Sequence, residues 1–489
     1  MILIDWIVIG AFFLVILAIG LWSAGKNKNS RDFFVASGKM PWWLAGISHH
    51  VSGYSGAVFV AYAGIAYTHG FTIYVWWALT IAIALFTGAT LIVPYWNRLR
   101  RYYDIQSPLE YLAVRYNLPA QQLMAWSGVI LKLFDVGAKW AAIAILLREF
   151  TGLPLSYGIL ISGGISLIYI TAGGLWAVIL TDFAQFIVQV VAGLIMFVVA
   201  LTRLGGISSI WEMWDQLPPA NNDLFHAPYD VFFALTFLII NFLSYNGGTW
   251  NLATRFISAG DSRSARRSAY LSGILYLVWP LILFFPMWAA PIFYPDLADP
   301  NTSYAVMTQE LLPNGLIGLV LASLFANTLT MTSSDANTIA SVITRDILPS
   351  LSAKFKQLSE SGSLRLARIT TVAFTLMTII VALQAESFGG VLGLIISWFA
   401  ALLGPIAVPM LLGLLPWYKH CDSKAAIITI IIGFSMFVLT RYGFEVGQAG
   451  QIGLPVLSSL LFYTGYALAS RGKKVKDEVE AMMEALKHE

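Results

Sequence analysis

Ser48-His49-His50-Val51-Ser52-Gly53-Tyr54-Ser55-Gly56 is the stretch whose reading decides the fold. It interrupts residues 42–67, a run otherwise apolar and long enough to cross a bilayer. A second gap of the same kind, Ser244-Tyr245-Asn246-Gly247-Gly248-Thr249-Trp250-Asn251, interrupts residues 229–257. Hydrocarbon satisfies neither a free N–H nor a free C=O. A helix broken at that depth therefore lines a cavity or a site within the protein. Two breaks at corresponding places in two halves of a chain point to a transporter's binding site near the bilayer midplane. Residues 51–54 and 246–249 are accordingly expected to leave the helix and to face one cavity.

The rest of the chain has the composition of a membrane protein. Of 489 residues, 58% are hydrophobic and 11% charged, and mean hydropathy is +0.73. A soluble domain carries about 25% charged residues. One integral membrane domain follows. The first apolar run, 3–23, has no basic region before it and no small-residue cleavage site, so it reads as a retained span. The lone cysteine, Cys421, excludes an internal disulfide. Thirteen candidate spans are visible: 3–23, 42–67, 71–96, 122–150, 155–171, 175–204, 229–257, 269–293, 315–343, 369–385, 390–415, 425–442 and 452–469. The connections after alternate spans hold 24 of the 29 Lys and Arg residues. That bias predicts an outside N-terminus and a cytoplasmic C-terminus in a plasma (inner) membrane. The tail 471–489 spaces Val475, Val479, Met482, Met483 and Leu486 at helical intervals, for an amphipathic helix on the inner surface or on another helix.

Ionisable residues inside spans are functional candidates by default. Asp182 has no Lys or Arg within a turn of it in sequence, and a carboxylate so placed is expected to hold a cation or a proton. Residues 327–338 carry nine polar side chains, of which Thr330, Ser333, Ser334 and Asn337 share a helix face. Hydroxyl, carboxylate and carbonyl oxygens are what a hard monovalent cation needs in place of water. Lys132, Asp135 and Lys139 fall on one stripe and either neutralise one another or meet a polar solute. His49 and His50 suit a proton-coupled carrier or a solute cavity equally well. Trp76, Trp77 and Trp250 fall near the same depth, where aromatic faces stack on sugar rings or simply pack. Phosphate loops, His/Cys metal-ligand clusters and nucleophile elbows are absent from the sequence, and nothing suggests nucleic-acid binding. Two rival classes remain at this point. A membrane-embedded enzyme would need Asp182 and Asp335 to converge, and a sensor would normally carry a signalling domain.

Four segments together resemble the sodium/solute symporter family. Ser107-Pro108-Leu109-Glu110-Tyr111-Leu112-Ala113-Val114-Arg115-Tyr116 is similar to its inner-loop signature. Gly173-Gly174 with Val178, Thr181, Asp182 and Gln185 is similar to its fifth core helix, Arg255 to the end of its sixth, and the hydroxyl run ending in Asn337 to its eighth. The resemblance implies an all-α LeuT-type fold with 3–23 leading, inverted five-helix repeats at 42–204 and 229–415, two trailing helices at 425–470, and the tail. It implies sodium at Val51, Tyr54, Asn327 and Thr330, with Met331 replacing a hydroxyl of the usual set. A second site falls at Asp182, Ser333, Ser334 and Thr330. Solute contacts are expected among His50, Ser52, Ser55, Trp77, Asp135, Lys139, Asn246, Trp250 and Asn251. Ala138 stands where a basic residue would bind a carboxylate, which favours a neutral sugar or polyol. The implied protein is a sodium-coupled symporter, working as a monomer in the lipid bilayer without an organic cofactor. A proton-coupled carrier or a non-transporting sensor is the alternative.

Overall fold

The computed structural model describes residues 1–385 and 399–487. Within them, secondary structure is helical apart from two isolated bridges, Met40 to Ala259 and His226 to Tyr229. The main helices are α1 (Leu3–Ala24), α2 (Trp42–Val51), α3 (Ala61–His69), α4 (Thr80–Leu91), α5 (Leu118–Thr151), α6 (Leu155–Arg203) and α7 (Val231–Leu243). They continue as α8 (Asn251–Ser258), α9 (Ser262–Phe293), α10 (Leu316–Val342), α11 (Glu360–Leu383), α12 (Ser423–Val438), α13 (Gln448–Ala469) and α14 (Asp477–Ala485).

Nine helices among the described residues are long and apolar enough to cross a membrane. Other expected spans differ for physical reasons. The span at 42–67 is split into α2 and α3, and α5 carries Lys132, Asp135 and Lys139. The spans at 155–171 and 175–204 run together as α6, kinked at Gly174 (φ 53°, ψ −151°). That glycine is required twice over. Its φ lies in the left-handed region, and a Cβ there would sit 2.5 Å from the Phe33 ring. Residues 390–398 of the expected span 390–415 lie outside the described residues.

Local signals fix several helix starts. Asn117 caps α5 by accepting the Ala120 N–H at 2.9 Å, and Pro119 opens its first turn. Asp261 caps α9 through the Ser264 N–H at 2.6 Å. Helix α10 packs along α6, and α1 packs on both. Buried Asp5 ties α1 to the start of α10 by accepting the N–H groups of Gly315 (2.6 Å) and Gly318 (3.0 Å).

The expected loop signature is a clamp. Arg115, 1% exposed, donates to the carbonyls of Gly413 (2.6 Å), Tyr418 (2.6 Å) and Cys421 (2.8 Å). Its Leu112–Arg115 turn receives α14, which buries Val479, Met482 and Met483. The Leu486 carbonyl accepts from Arg98, and the Tyr116 carbonyl from Lys476. The tail therefore lies on another helix of the same chain.

Candidate functional site

Both breaks are present, and they meet. Helix α2 ends at Val51, Ser55 is extended (φ −141°, ψ 176°), and a short turn at Gly56–Phe59 leads into α3. The first break thus begins one residue later than expected. After α7, a wide turn at Ser244–Gly248 contains Gly247 at φ 119°, and Trp250 stands at φ 70° before α8. A Cβ on Gly53 would lie 1.9 Å from the Tyr276 hydroxyl and 2.9 Å from the Tyr245 ring. Glycine there lets the first break approach the second and α9. His49 joins the same three elements. One ring nitrogen bonds the Tyr245 carbonyl at 3.0 Å and the other the Ser272 hydroxyl at 2.8 Å. A carbonyl only accepts, so the first nitrogen carries a proton. The second shares a hydrogen bond with Ser272, so both ring nitrogens are satisfied.

Between the breaks lies a cavity of about 70 Å³. Gly53 and Ser55 line it from the first break and Tyr245 from the second. Tyr62, Trp77, Phe237 and Asn241 add an aromatic and amide wall, Met331 comes from α10, and Asp135, Ala138 and Lys139 come from α5. Trp77 meets the Tyr54 ring edge-on at 5.3 Å, and Tyr54 stacks on Tyr276 at 5.4 Å.

At the α5 wall the charges form a closed square. Lys132 Nζ bonds Asp135 (2.9 Å) and Asp335 (2.7 Å), and Lys139 Nζ bonds the same two (2.8 and 2.6 Å). All four side chains are 5% exposed or less. Two ammonium groups and two carboxylates cancel, which is what permits four charges at this depth. Asp335 on α10 thus has a place that its sequence neighbourhood did not disclose.

A second ionic cluster forms around Asp182 and Arg255. Asp182 is not alone. The Arg255 guanidinium, 73 residues away in sequence, pairs with its Oδ2 at 3.2 Å. The Ser48 hydroxyl donates to the same oxygen at 2.5 Å. Arg255 also donates to Ser48 and Ser52, both at 3.0 Å, to Ser334, and to the Asn251 carbonyl and Thr254 hydroxyl at 3.1 Å. The expectation of an isolated carboxylate is corrected, because the partner comes from a different span. Arg255 is likewise a fully buried residue and not a loop cation. Asp182 Oδ1 makes no hydrogen bond among the described residues. Nearby on α10, the Ser333 and Ser334 hydroxyls donate to the Thr330 carbonyl at 3.0 and 2.7 Å, and the Thr330 hydroxyl bonds Gln185. Asp182, Thr330, Ser333 and Ser334 therefore belong to one buried oxygen-rich cluster.

The other candidates divide. Ser55, Trp77, Asp135 and Lys139 line the cavity. Ser52 instead joins the ion cluster, 3.2 Å from Ser334. His50 packs edge-on against both Tyr54 and Tyr276. Asn246 turns its amide to the carbonyls of Ala84 and Phe242 at 3.1 and 2.8 Å. Trp250 is fully buried against Gly128, and Asn251 opens α8 beside Arg255. None of these last four lines the cavity; Asn246, Trp250 and Asn251 are turned into helix contacts at the second break, and His50 into the Tyr54 and Tyr276 rings. Val51 offers its carbonyl to the Tyr54 N–H at 3.2 Å, and the Asn327 amide bonds back to Ser323 at 2.7 Å. Met331 faces the cavity, which accounts for a thioether at that position. Tyr62, Phe237, Asn241, Tyr245 and the Arg255 partnership were not singled out from sequence. Of these, only the intramembrane arginine carried a readable signal, its cost in hydrocarbon.

The model of the sodium:solute symporter family matches residues 33–433. The chain belongs to this family. Its members and the relatives found are transporters rather than enzymes, and sodium is the coupling ion. The chain is 26% identical over 476 residues to the sodium/glucose cotransporter of Vibrio parahaemolyticus, spanning 89% of this chain and 85% of that one. It is 27% identical over 455 residues to sodium-coupled monocarboxylate transporter 2 of Danio rerio, spanning 88% and 70%. The solved structure of a Na⁺-coupled sialic acid symporter in a substrate-bound outward-open state superposes with a TM-score of 0.84. That match has 21% identity and covers 97% of this chain and 99% of the other. The fold of this integral membrane symporter is therefore LeuT-like.

Proposed function

We propose that this symporter couples inward sodium flow to import of a small neutral polar solute, a sugar or polyol, by alternating access. The observation that carries the reading is the cavity between the two breaks. It is walled by Tyr62, Trp77 and Tyr245 and floored by charges that cancel, so it offers aromatic faces and polar contacts but no surplus charge. In this reading the inverted repeats are 42–204 and 229–415. Ser55, Trp77, Asp135 and Lys139 touch solute, and sodium binds at Asp182, Thr330, Ser333 and Ser334, with Val51, Tyr54 and Asn327 as the neighbouring set. The N-terminus is outside and the C-terminus cytoplasmic.

Coupling requires sodium to bind the outward-open state better than the inward-open one. Each charge carried inward across 100 mV gains about 2.3 kcal/mol, enough for roughly 50-fold accumulation. The test is uptake into proteoliposomes of D-glucose, D-galactose, myo-inositol, D-mannitol, lactate and proline, with sodium, proton or no gradient. Sodium-dependent accumulation of a hexose or polyol is expected. Accumulation of lactate or proline alone would refute the solute class, and accumulation driven by protons alone would refute the ion.

A further inference from the structure

The charge square has an asymmetry that gives its four residues different tasks. Asp135 and Lys139 line the cavity, while Lys132 and Asp335 do not. Both lysines bond the same oxygen of Asp135, Oδ2. Asp135 Oδ1 takes no hydrogen bond among the described residues, although its residue borders the cavity. On Asp335 the lysines are shared out, Lys132 on Oδ1 and Lys139 on Oδ2.

We propose that the square is the polar anchor of the solute site, with Asp135 accepting hydrogen bonds from solute hydroxyl groups and Lys132 and Asp335 acting as positioning residues. The proposal rests on the reading of the protein as a sodium-coupled importer of a neutral solute, and it names the chemistry by which that solute is chosen. A carboxylate oxygen with spare lone pairs at a cavity wall binds a donor, and a hydroxyl is the neutral donor that it holds best. It repels a solute carboxylate. The lysines offset the charge of Asp135, yet would also cover Oδ1 if they had nowhere else to bond. Asp335 is that second acceptor. By taking one bond from each ammonium, it holds both lysines on the far side of Asp135 and spares Oδ1 for solute. The same four charges sum to zero, so an anionic solute finds no net positive field at this wall.

The roles separate experimentally. Proteoliposomes are loaded with wild type or variant, and uptake is measured for whichever of D-glucose, D-galactose, myo-inositol and D-mannitol the wild type accumulates most. Acetate and lactate serve as competitors. Asp335→Asn should raise the half-saturating concentration at least tenfold, hold that of sodium within twofold, and create inhibition by acetate and lactate, because the wall then carries one net positive charge. Lys132→Met/Asp335→Leu removes a cation and an anion together and leaves no unpaired charge. It should also raise the half-saturating concentration at least tenfold, but without carboxylate inhibition. A merely structural square predicts no carboxylate inhibition in either variant. Should Asp335→Asn fail to fold, Asp335→Glu keeps the charge, displaces the lysines by one methylene, and should raise the half-saturating concentration several-fold. Unchanged solute kinetics in every variant that folds would overturn the proposal while leaving sodium-coupled import intact. Failure of wild type to accumulate any of the four neutral solutes would instead overturn the functional reading and, with it, the anchor.

Discussion

Asp182→Asn removes one charge from two interactions at once, and these can be read apart. The first is the buried pair with Arg255, both side chains 0% exposed. Removing one partner of such a pair costs about 3–5 kcal/mol, mostly for the charge left behind. Arg255 keeps Ser48, Ser52, Ser334, Thr254 and the Asn251 carbonyl, so the lower end, about 3 kcal/mol, is expected. The second is the sodium contact proposed for Asp182. Asp182 Oδ1, without a donor among the described residues, is the strongest oxygen in the cluster. Replacing a charged contact by a neutral one loses about 1.5–3 kcal/mol, which is roughly a 10- to 150-fold weaker sodium constant. Purified protein in detergent gives both numbers. Sodium at about 100 times its dissociation constant stabilises by about 2.7 kcal/mol in wild type, and by only about 0.4 kcal/mol once binding is 100-fold weaker. Asp182→Asn should therefore unfold earlier and also lose its sodium-dependent thermal shift. Asp182→Asn/Arg255→Met removes the stranded charge, so it should recover much of the basal stability and none of the sodium shift. A full sodium shift in either variant would show that sodium binds elsewhere and that Asp182 serves the arginine alone.

Three further outcomes follow from the packing. Gly53→Ala puts a methyl 1.9 Å from the Tyr276 hydroxyl and 2.9 Å from the Tyr245 ring, so one of these tyrosines or the first break must shift and uptake should fall at least tenfold in vesicles with normal protein content; near-normal uptake would mean that this close approach is not needed. Met331→Ser trades a cavity-wall thioether for a hydroxyl and should change solute half-saturation several-fold with sodium constants unmoved; a gain in sodium affinity instead would return Met331 to the ion site. The Cys421 thiol is buried, and burial pushes its pKa up to about 11 against the pull of the Arg115 guanidinium. At pH 7.5 about one thiol in 3,000 is ionised, so maleimide should label the folded protein only after detergent denaturation, and labelling within minutes in vesicles would show that the Arg115 clamp opens.

The breaks and the membrane architecture were legible in the sequence because both arise from local chemistry. The two glycine-broken polar runs and each apolar span are recognisable from their own residues, and Gly247 turns in the left-handed region. Partnerships were not legible in the same way. Asp182 looked isolated because Arg255 is 73 residues away, and Asp335 looked surplus because its lysines lie on another helix. Sequence spacing showed that Lys132, Asp135 and Lys139 could pair along one stripe, which they do, but the stripe left one positive charge uncancelled. That surplus was itself a sign that a carboxylate from elsewhere had to complete the set. The aromatic wall was hidden for a related reason. Tyr62 and Tyr245 resemble any other membrane tyrosine until two breaks bring them to one cavity.

Helix α10 connects these findings. Met331 faces the solute cavity, Ser334 bonds Ser52 and the arginine of the ion cluster, and Asp335, the next residue, holds both lysines of the square. Adjacent residues of one helix, Ser334 and Asp335, thus engage both ionic clusters. Neither cluster can shift independently while α10 stays rigid, since every residue from Leu329 to Asn337 except Met331 is buried. Interiors this tightly packed rearrange between discrete arrangements in preference to deforming gradually. An ion that favours one position of α10 then necessarily favours one arrangement of Asp135 and Lys139 at the cavity. At the sites proposed above, sodium and solute would be linked through this helix.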